Sequence, residues 1–170
     1  YVDTPALWVD LNLMEKNIRR LAQFFKEAGV GWRPHTKGIK VPAIAHMLVD
    51  AGAIGITCAK LSEAEVMAAA GIRDILIANQ VVGESKVTRL ANLRHYTDVI
   101  VAVDSLENAA DISRAAVSAE VVIRVLIEVN SGMNRCGLEP GAPVVEFARQ
   151  VAALPGLDLA GLMAWEGHVV

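Results

Sequence analysis

Short runs rich in Val and Ile alternate along the chain with stretches whose apolar residues recur at helical spacing, and the alternation persists to the last residues. Unbroken apolar runs favour strands buried on both faces, whereas recurrence every three to four positions favours amphipathic helices. The runs predict strands at residues 6–10, 31–35, 53–58, 74–78, 99–103, 121–129 and 157–163. Helical spacing predicts a helix at 13–28, carrying Leu13, Ile18, Leu21, Ala22 and Phe25 and stopped by Gly29. Ser62 with Glu65 has the pattern of a capping box opening a helix at 64–70, which Gly71 ends. Helices at 106–119 and 144–154 complete the series, the second started by Pro143 and stopped before Pro155 and Gly156.

Strands alternating with helices are the α/β pattern, and buried strands such as the one containing Val121, Val122 and Ile123 point to a parallel sheet with helices outside it. A doubly wound sheet normally carries a glycine-rich turn after its first strand, and neither GxGxxG nor GxxxxGK[ST] occurs here. The expectation is therefore a (β/α)8 TIM-type barrel. A complete barrel needs about 250 residues, so this chain holds roughly six of the eight βα units. At 170 residues it forms one domain, with 54% hydrophobic and 21% charged residues, far from a disordered composition. The net charge of −3 comes without any basic run, which argues against nucleic acid as a partner. No apolar run is long enough for a membrane span, and no leader pattern opens the chain, so a cytoplasmic location is expected. Cys58 and Cys136 form neither a metal motif nor a disulfide framework.

In a parallel barrel the chemistry sits where the strands end and the following loops converge on one mouth. Thr36, Lys37, Thr57, Cys58, Asn79, residues 130–135, Glu166 and His168 fall there, as do Lys60, Gln80, Asp104 and Ser105, to which no role is assigned. The sequence WRPHTKGIK, residues 32–40, places Arg33, His35 and Lys37 on one face by the two-residue period of a strand. Clustered cations need an anion or solvent, and their crowding favours the neutral amine that a Schiff base requires, so Lys37 is a candidate carbonyl-binding lysine. His35 reads equally well as a packed, hydrogen-bonded histidine. In EVNSGMNRCG, residues 128–137, Gly132 and Gly137 bracket a turn that presents Arg135. Glu128 and Asn130 share a strand face, with Arg124 a possible third member, and a buried Glu128 would take Arg135 or Arg124 as its cation. His46 and His95 are given no role.

On these residues the sequence resembles the fold-type III pyridoxal-phosphate enzymes, and among them the D-threonine aldolase and D-serine dehydratase group. The resemblance is carried by TPALWVDL (4–11), RPHTK (33–37), CAKLSEAE (58–65) and GMNRCG (132–137), and extends over essentially the whole chain. It implies an N-terminal barrel that binds pyridoxal 5'-phosphate, Lys37 as the internal aldimine, Arg135 at the cofactor's phenolic oxygen and His168 near the ring or substrate. Glu128 stands where related racemases carry a lysine able to form a carbamate, which leans toward the aldolase and dehydratase branch. Where the group continues RPHxK with Thr and His, this chain has Gly38, Ile39 and Lys40. The implied activity is a lyase acting on D-3-hydroxy amino acids, with His168 or His35 as the base. Removal of the hydroxyl proton leads to retro-aldol cleavage; removal of the α-proton with loss of hydroxide leads to dehydration. An amino-acid racemase and a non-catalytic pyridoxal-phosphate homeostasis protein are the alternatives. The resemblance also implies a homodimer, a C-terminal β domain beyond this chain, and a divalent metal whose ligands lie in that domain. The sequence itself has no metal-ligand spacing.

Overall fold

The computed structural model describes residues 1–169. Its elements follow in the order α1 (Leu11–Glu27), α2 (Pro42–Asp50), β1 (Ile56–Cys58), α3 (Leu61–Ala69), β2 (Asp74–Ile77), α4 (Glu84–Leu93), β3 (Asp98–Val103), α5 (Leu106–Ser118), β4 (Ile123–Val129), α6 (Ala142–Ala152) and β5 (Leu157–Ala164), with a 3-10 turn at Gly167–Val169. The five strands form one sheet in the order β1-β2-β3-β4-β5, every neighbouring pair parallel. Sequential order in a parallel sheet, with a helix in each crossover, is the winding of a barrel; a doubly wound sheet reverses its order partway.

Strand alternation divides the residues between two faces. Ile75, Ile77, Val99, Val101, Val103, Ile123, Val125 and Ile127 are fully buried against α3–α6 and make the main core. A second cluster joins α1 and α2: Ile18, Leu48 and Ala53 pack with Trp32, on whose ring Phe25 stacks at 6.1 Å. The opposite, concave face is polar at both ends. At its base Arg33 donates to Asp74, and Arg124 reaches both Asp74 (3.3 Å) and Asp98 (3.1 Å). Asp74 and Asp98 stand in register at the start of β2 and β3, so two guanidinium groups neutralise two carboxylates brought side by side by strand pairing.

Several expectations are corrected. Residues 6–10 are not a strand: Leu7 and Trp8 are almost wholly exposed, and among the described residues nothing pairs with them; Asp10 instead caps α1, accepting the Leu13 N–H at 3.0 Å. Residues 31–35 run extended beside β1, joined by Ile54 N–H to Trp32 O, Thr57 N–H to Pro34 O and Thr36 N–H to Thr57 O, but only His35 forms a bridge. Pro34 has no N–H to give the ladder, which keeps this segment short of a regular strand. The Ser62–Glu65 capping box does not form. The helix starts earlier, so Glu63 reaches back to the Ala59 N–H at 2.9 Å while Glu65 binds Arg89. Helices α2 and α4 were not delimited by the hydrophobic pattern: α2 is apolar on most sides and α4 begins at Gly83 without a side-chain cap.

Candidate functional site

Lys37 follows the last residue that pairs with β1, at the mouth end of the concave face. Thr36, buried, fixes the chain there: its hydroxyl donates to Thr57 O at 3.0 Å and lies 3.6 Å from the Cys58 sulfur, while its carbonyl accepts the N–H groups of Ile39 and Lys40. The backbone therefore turns just past a clamped residue, and the Lys37 side chain leaves exposed. Among the described residues its Nζ has no hydrogen-bond or ion-pair partner; it stands 5.7 Å from the centroid of the Trp165 ring. The Arg135 guanidinium lies over the same ring at 4.6 Å. Two cations thus share one indole, a placement in which the ring's electron-rich face offsets part of their repulsion.

The expected trio of inward cations does not assemble. Arg33 is drawn to Asp74 at the base, because its position lies at the start of the strand segment, and only His35 and Lys37 reach the mouth. The Lys37 backbone N–H donates to His35 Nδ1 at 3.2 Å. Burial and the neighbouring Lys37 charge hold the His35 imidazole below its usual value, so near neutrality it is uncharged, with its proton on Nε2.

The second predicted motif forms a closed turn. Asn130 N–H donates to Leu138 O and Leu138 N–H to Glu128 O. Asn130 is the hub of the tip: its Oδ1 accepts from Gly132 N (3.1 Å) and Asn134 N (3.0 Å), and its Nδ2 donates to Asn134 and Glu139. At Gly137 (φ +93°) an added Cβ would meet Asn130 N at 2.7 Å, so only glycine lets the returning chain come this close.

Glu128, 5% exposed, is on the concave face as expected, but neither Arg135 nor Arg124 pairs with it. Arg124 is two repeats of the pleat nearer the base and is committed to Asp74 and Asp98. Glu128 instead accepts from the Gln80 amide and from the Cys136 thiol at 3.0 Å. The same Gln80 nitrogen donates to Asp104 at 3.1 Å, and Asp104 accepts the Gly137 N–H at 2.9 Å. Gln80 and Asp104, left without a role in the sequence, are central here; Ser105 is the N-cap of α5, and Lys60 lies in a crevice beside Lys86 and Arg89. Trp165 carried no sequence signal. Its strand-end position was the one available clue.

His168, on the 3-10 turn, rests against Gly132. The two loops are tied by Ser131, whose hydroxyl donates to Trp165 O at 3.1 Å. Lys37, Arg135, Trp165 and His168 therefore gather at one end of the sheet, with Glu128 in the layer beneath.

Residues 9–169 match the family described as "Alanine racemase, N-terminal domain". A D-threonine aldolase from Arthrobacter sp is 43% identical over 168 residues, which span 99% of this chain and 44% of that protein. A 3-hydroxy-D-aspartate aldolase from Paracoccus denitrificans is 36% identical over 171 residues, 98% of this chain and 44% of that one. The crystal structure of a D-threonine aldolase from Filomicrobium marinum superposes with a TM-score of 0.96 at 46% identity, covering 98% of this chain and 45% of its own. The chain thus spans less than half the length of the relatives it matches.

Proposed function

The chain belongs to the family of the alanine racemase N-terminal domain, and from that membership we propose that it is the cofactor-binding barrel portion of a pyridoxal-phosphate-dependent lyase that cleaves D-3-hydroxy amino acids by a retro-aldol reaction. The observation that carries the reading is the unpartnered Lys37 amine sharing the Trp165 ring with Arg135. The two aldolases among its relatives support the reaction class.

The donor set fits the cofactor. An aldehyde needs a primary amine free of other partners, and Lys37 supplies one. A phenolate oxygen needs a cation, and Arg135 makes no ion pair among the described residues. When bound, pyridoxal phosphate supplies an electron-withdrawing ring that stabilises charge developing at a substrate's α-carbon. The protein's own groups then select the bond. His35 is a poor proton acceptor, because its Nδ1 already receives the Lys37 N–H and its Nε2 carries the proton; it serves as a hydrogen-bond donor. His168, exposed at the mouth, is the base for the substrate hydroxyl. Glu128 supports the Arg135 turn from below. Among the described residues no group of three or more His, Cys, Asp or Glu is arranged to hold a metal ion, so a divalent metal at the substrate hydroxyl would take its ligands from outside them.

The same reading includes further strands pairing with the open edge of β5 and beside residues 31–36, a β-rich domain beyond them, a homodimer that completes the site, and a cytoplasmic enzyme. In support, β5 pairs only with β4 and none of its residues is fully buried, whereas β3, with a neighbour on each side, is buried at five of its six positions. The test is to incubate the full-length protein with pyridoxal phosphate, reduce with borohydride and map the modified peptide. Cofactor mass on Lys37, absent in Lys37→Ala, together with cleavage of a D-3-hydroxy amino acid to glycine and an aldehyde, is the expected result. Label on Lys40 or Lys60 overturns the assignment of Lys37. Label on Lys37 without turnover of any D-3-hydroxy amino acid overturns the lyase.

A further inference from the structure

We propose that Gln80, acting through Glu128, Asp104 and Cys136, is a positioning residue for Arg135; the inference rests on the reading of Arg135 as a cofactor-facing cation. Arg135 sits on the rim of a turn whose exposed tip is organised by Asn130 and tied to the neighbouring loop by Ser131. What anchors the other side is the pair of residues that follows it. The Cys136 thiol donates to Glu128 and the Gly137 N–H donates to Asp104. Those two carboxylates belong to different strand ends, and a single Gln80 nitrogen donates to both.

Two carboxylates reached by one amide nitrogen repel each other, and no Lys or Arg pairs with either among the described residues. Neutral donors must therefore hold them together. There are three: the Gln80 amide, the Cys136 thiol and the Gly137 N–H. Burial, then the Glu128 carboxylate, push the Cys136 thiol up against the opposing effect of the adjacent Arg135, which keeps it protonated and able to donate at neutral pH. Without the Gln80 amide the carboxylates lose their common donor and separate, and Cys136 and Gly137 move with them. Arg135, one residue away, leaves the Trp165 ring. A hydrogen bond to a charged group in a half-buried network is strong enough for this coupling to be measurable.

The stacking of Arg135 on Trp165 gives a readout that needs no cofactor. Full-length protein labelled with 5-fluorotryptophan is observed by 19F NMR, the Trp165 line being assigned by its loss in Trp165→Phe and its response to a lost guanidinium calibrated with Arg135→Ala. The expected result is that Gln80→Leu moves the Trp165 line toward its Arg135→Ala position and weakens pyridoxal-phosphate binding by roughly tenfold or more. A folded Gln80→Leu protein with the Trp165 line unmoved overturns the proposal. Should that variant not fold, Cys136 decides: Cys136→Ala is expected to move the line and Cys136→Ser, which keeps a donor, to restore it. An unmoved line in Cys136→Ala overturns the proposal equally. If the line moves and cofactor binding does not change, Gln80 positions Arg135 but Arg135 does not hold the cofactor, and it is the functional reading that falls.

Discussion

The ring of His168 occupies the space that a side chain at Gly132 would need: a Cβ built there lies 2.7 Å from His168 Nε2. The backbone at Gly132 has φ +120°, a conformation that other residues adopt only under strain. The glycine therefore lets the two mouth loops meet and fixes how near the turn the imidazole stands. On the proposed role of His168 as the base, Gly132→Ala is expected to push His168 outward and to lower kcat of the full-length protein by at least about a hundredfold, the lower end of what one general base contributes. Unchanged kcat in a folded Gly132→Ala enzyme would remove His168 from the mechanism.

Trp165 serves Lys37 and Arg135 at once, so its replacement acts on both. Cation–π contacts at partly exposed sites contribute about 0.5–2 kcal/mol, which corresponds to cofactor binding weakened by roughly 2- to 30-fold in Trp165→Leu. Trp165→Phe keeps an aromatic face and is expected to lie between. Titration of each apoprotein with pyridoxal phosphate, followed by absorbance, measures the order; equal affinities in all three would show that the ring is a bystander.

The base of the concave face is a stability element. Asp74 receives both Arg33 and Arg124, whose side chains are 16% and 28% exposed. Asp74→Asn leaves two partly buried guanidinium groups facing a neutral amide, with Asp98 as the remaining carboxylate for Arg124. Loss of a fully buried pair costs more, so about 1–3 kcal/mol is expected here, read as a lowered midpoint in urea. Borohydride labelling of Lys37 is expected to persist below that midpoint, because the ladder lies at the opposite end of the strands.

Acid sensitivity follows from Glu63. Burial would raise this carboxyl, but the Ala59 N–H and the Lys40 ammonium at 3.3 Å, with Lys60 nearby, hold it below the usual carboxylate value of 4.5. A group whose pKa is lower in the folded state stabilises the fold above its unfolded pKa, and that contribution is lost as pH falls through the folded value. Stability measured by denaturation should therefore decline below about pH 4.5. Glu63→Gln should be less stable at pH 7 and show a shallower decline; identical slopes would assign acid lability to other carboxylates.

The hydrophobic pattern alone located β2, β3, β4 and β5 to within a residue or two, because a strand buried against helices must be apolar on successive positions. It also placed Lys37, Arg135 and His168 just beyond strand ends, where polar residues cannot serve the core, and Glu128 on one face of its strand. The pattern misread residues 6–10, whose short apolar run matches a strand but finds no partner among the described residues. Pro34 similarly weakened the strand at 31–35. What only the tertiary structure decided is pairing. Arg33 goes to Asp74, 41 positions away, and Glu128 takes Gln80, 48 positions away, in place of the arginine expected nearby. Trp165 finds its two cations in the same manner. Sequence period states which face of a strand a side chain occupies, whereas the register between strands, set by packing over the whole sheet, states what it meets there.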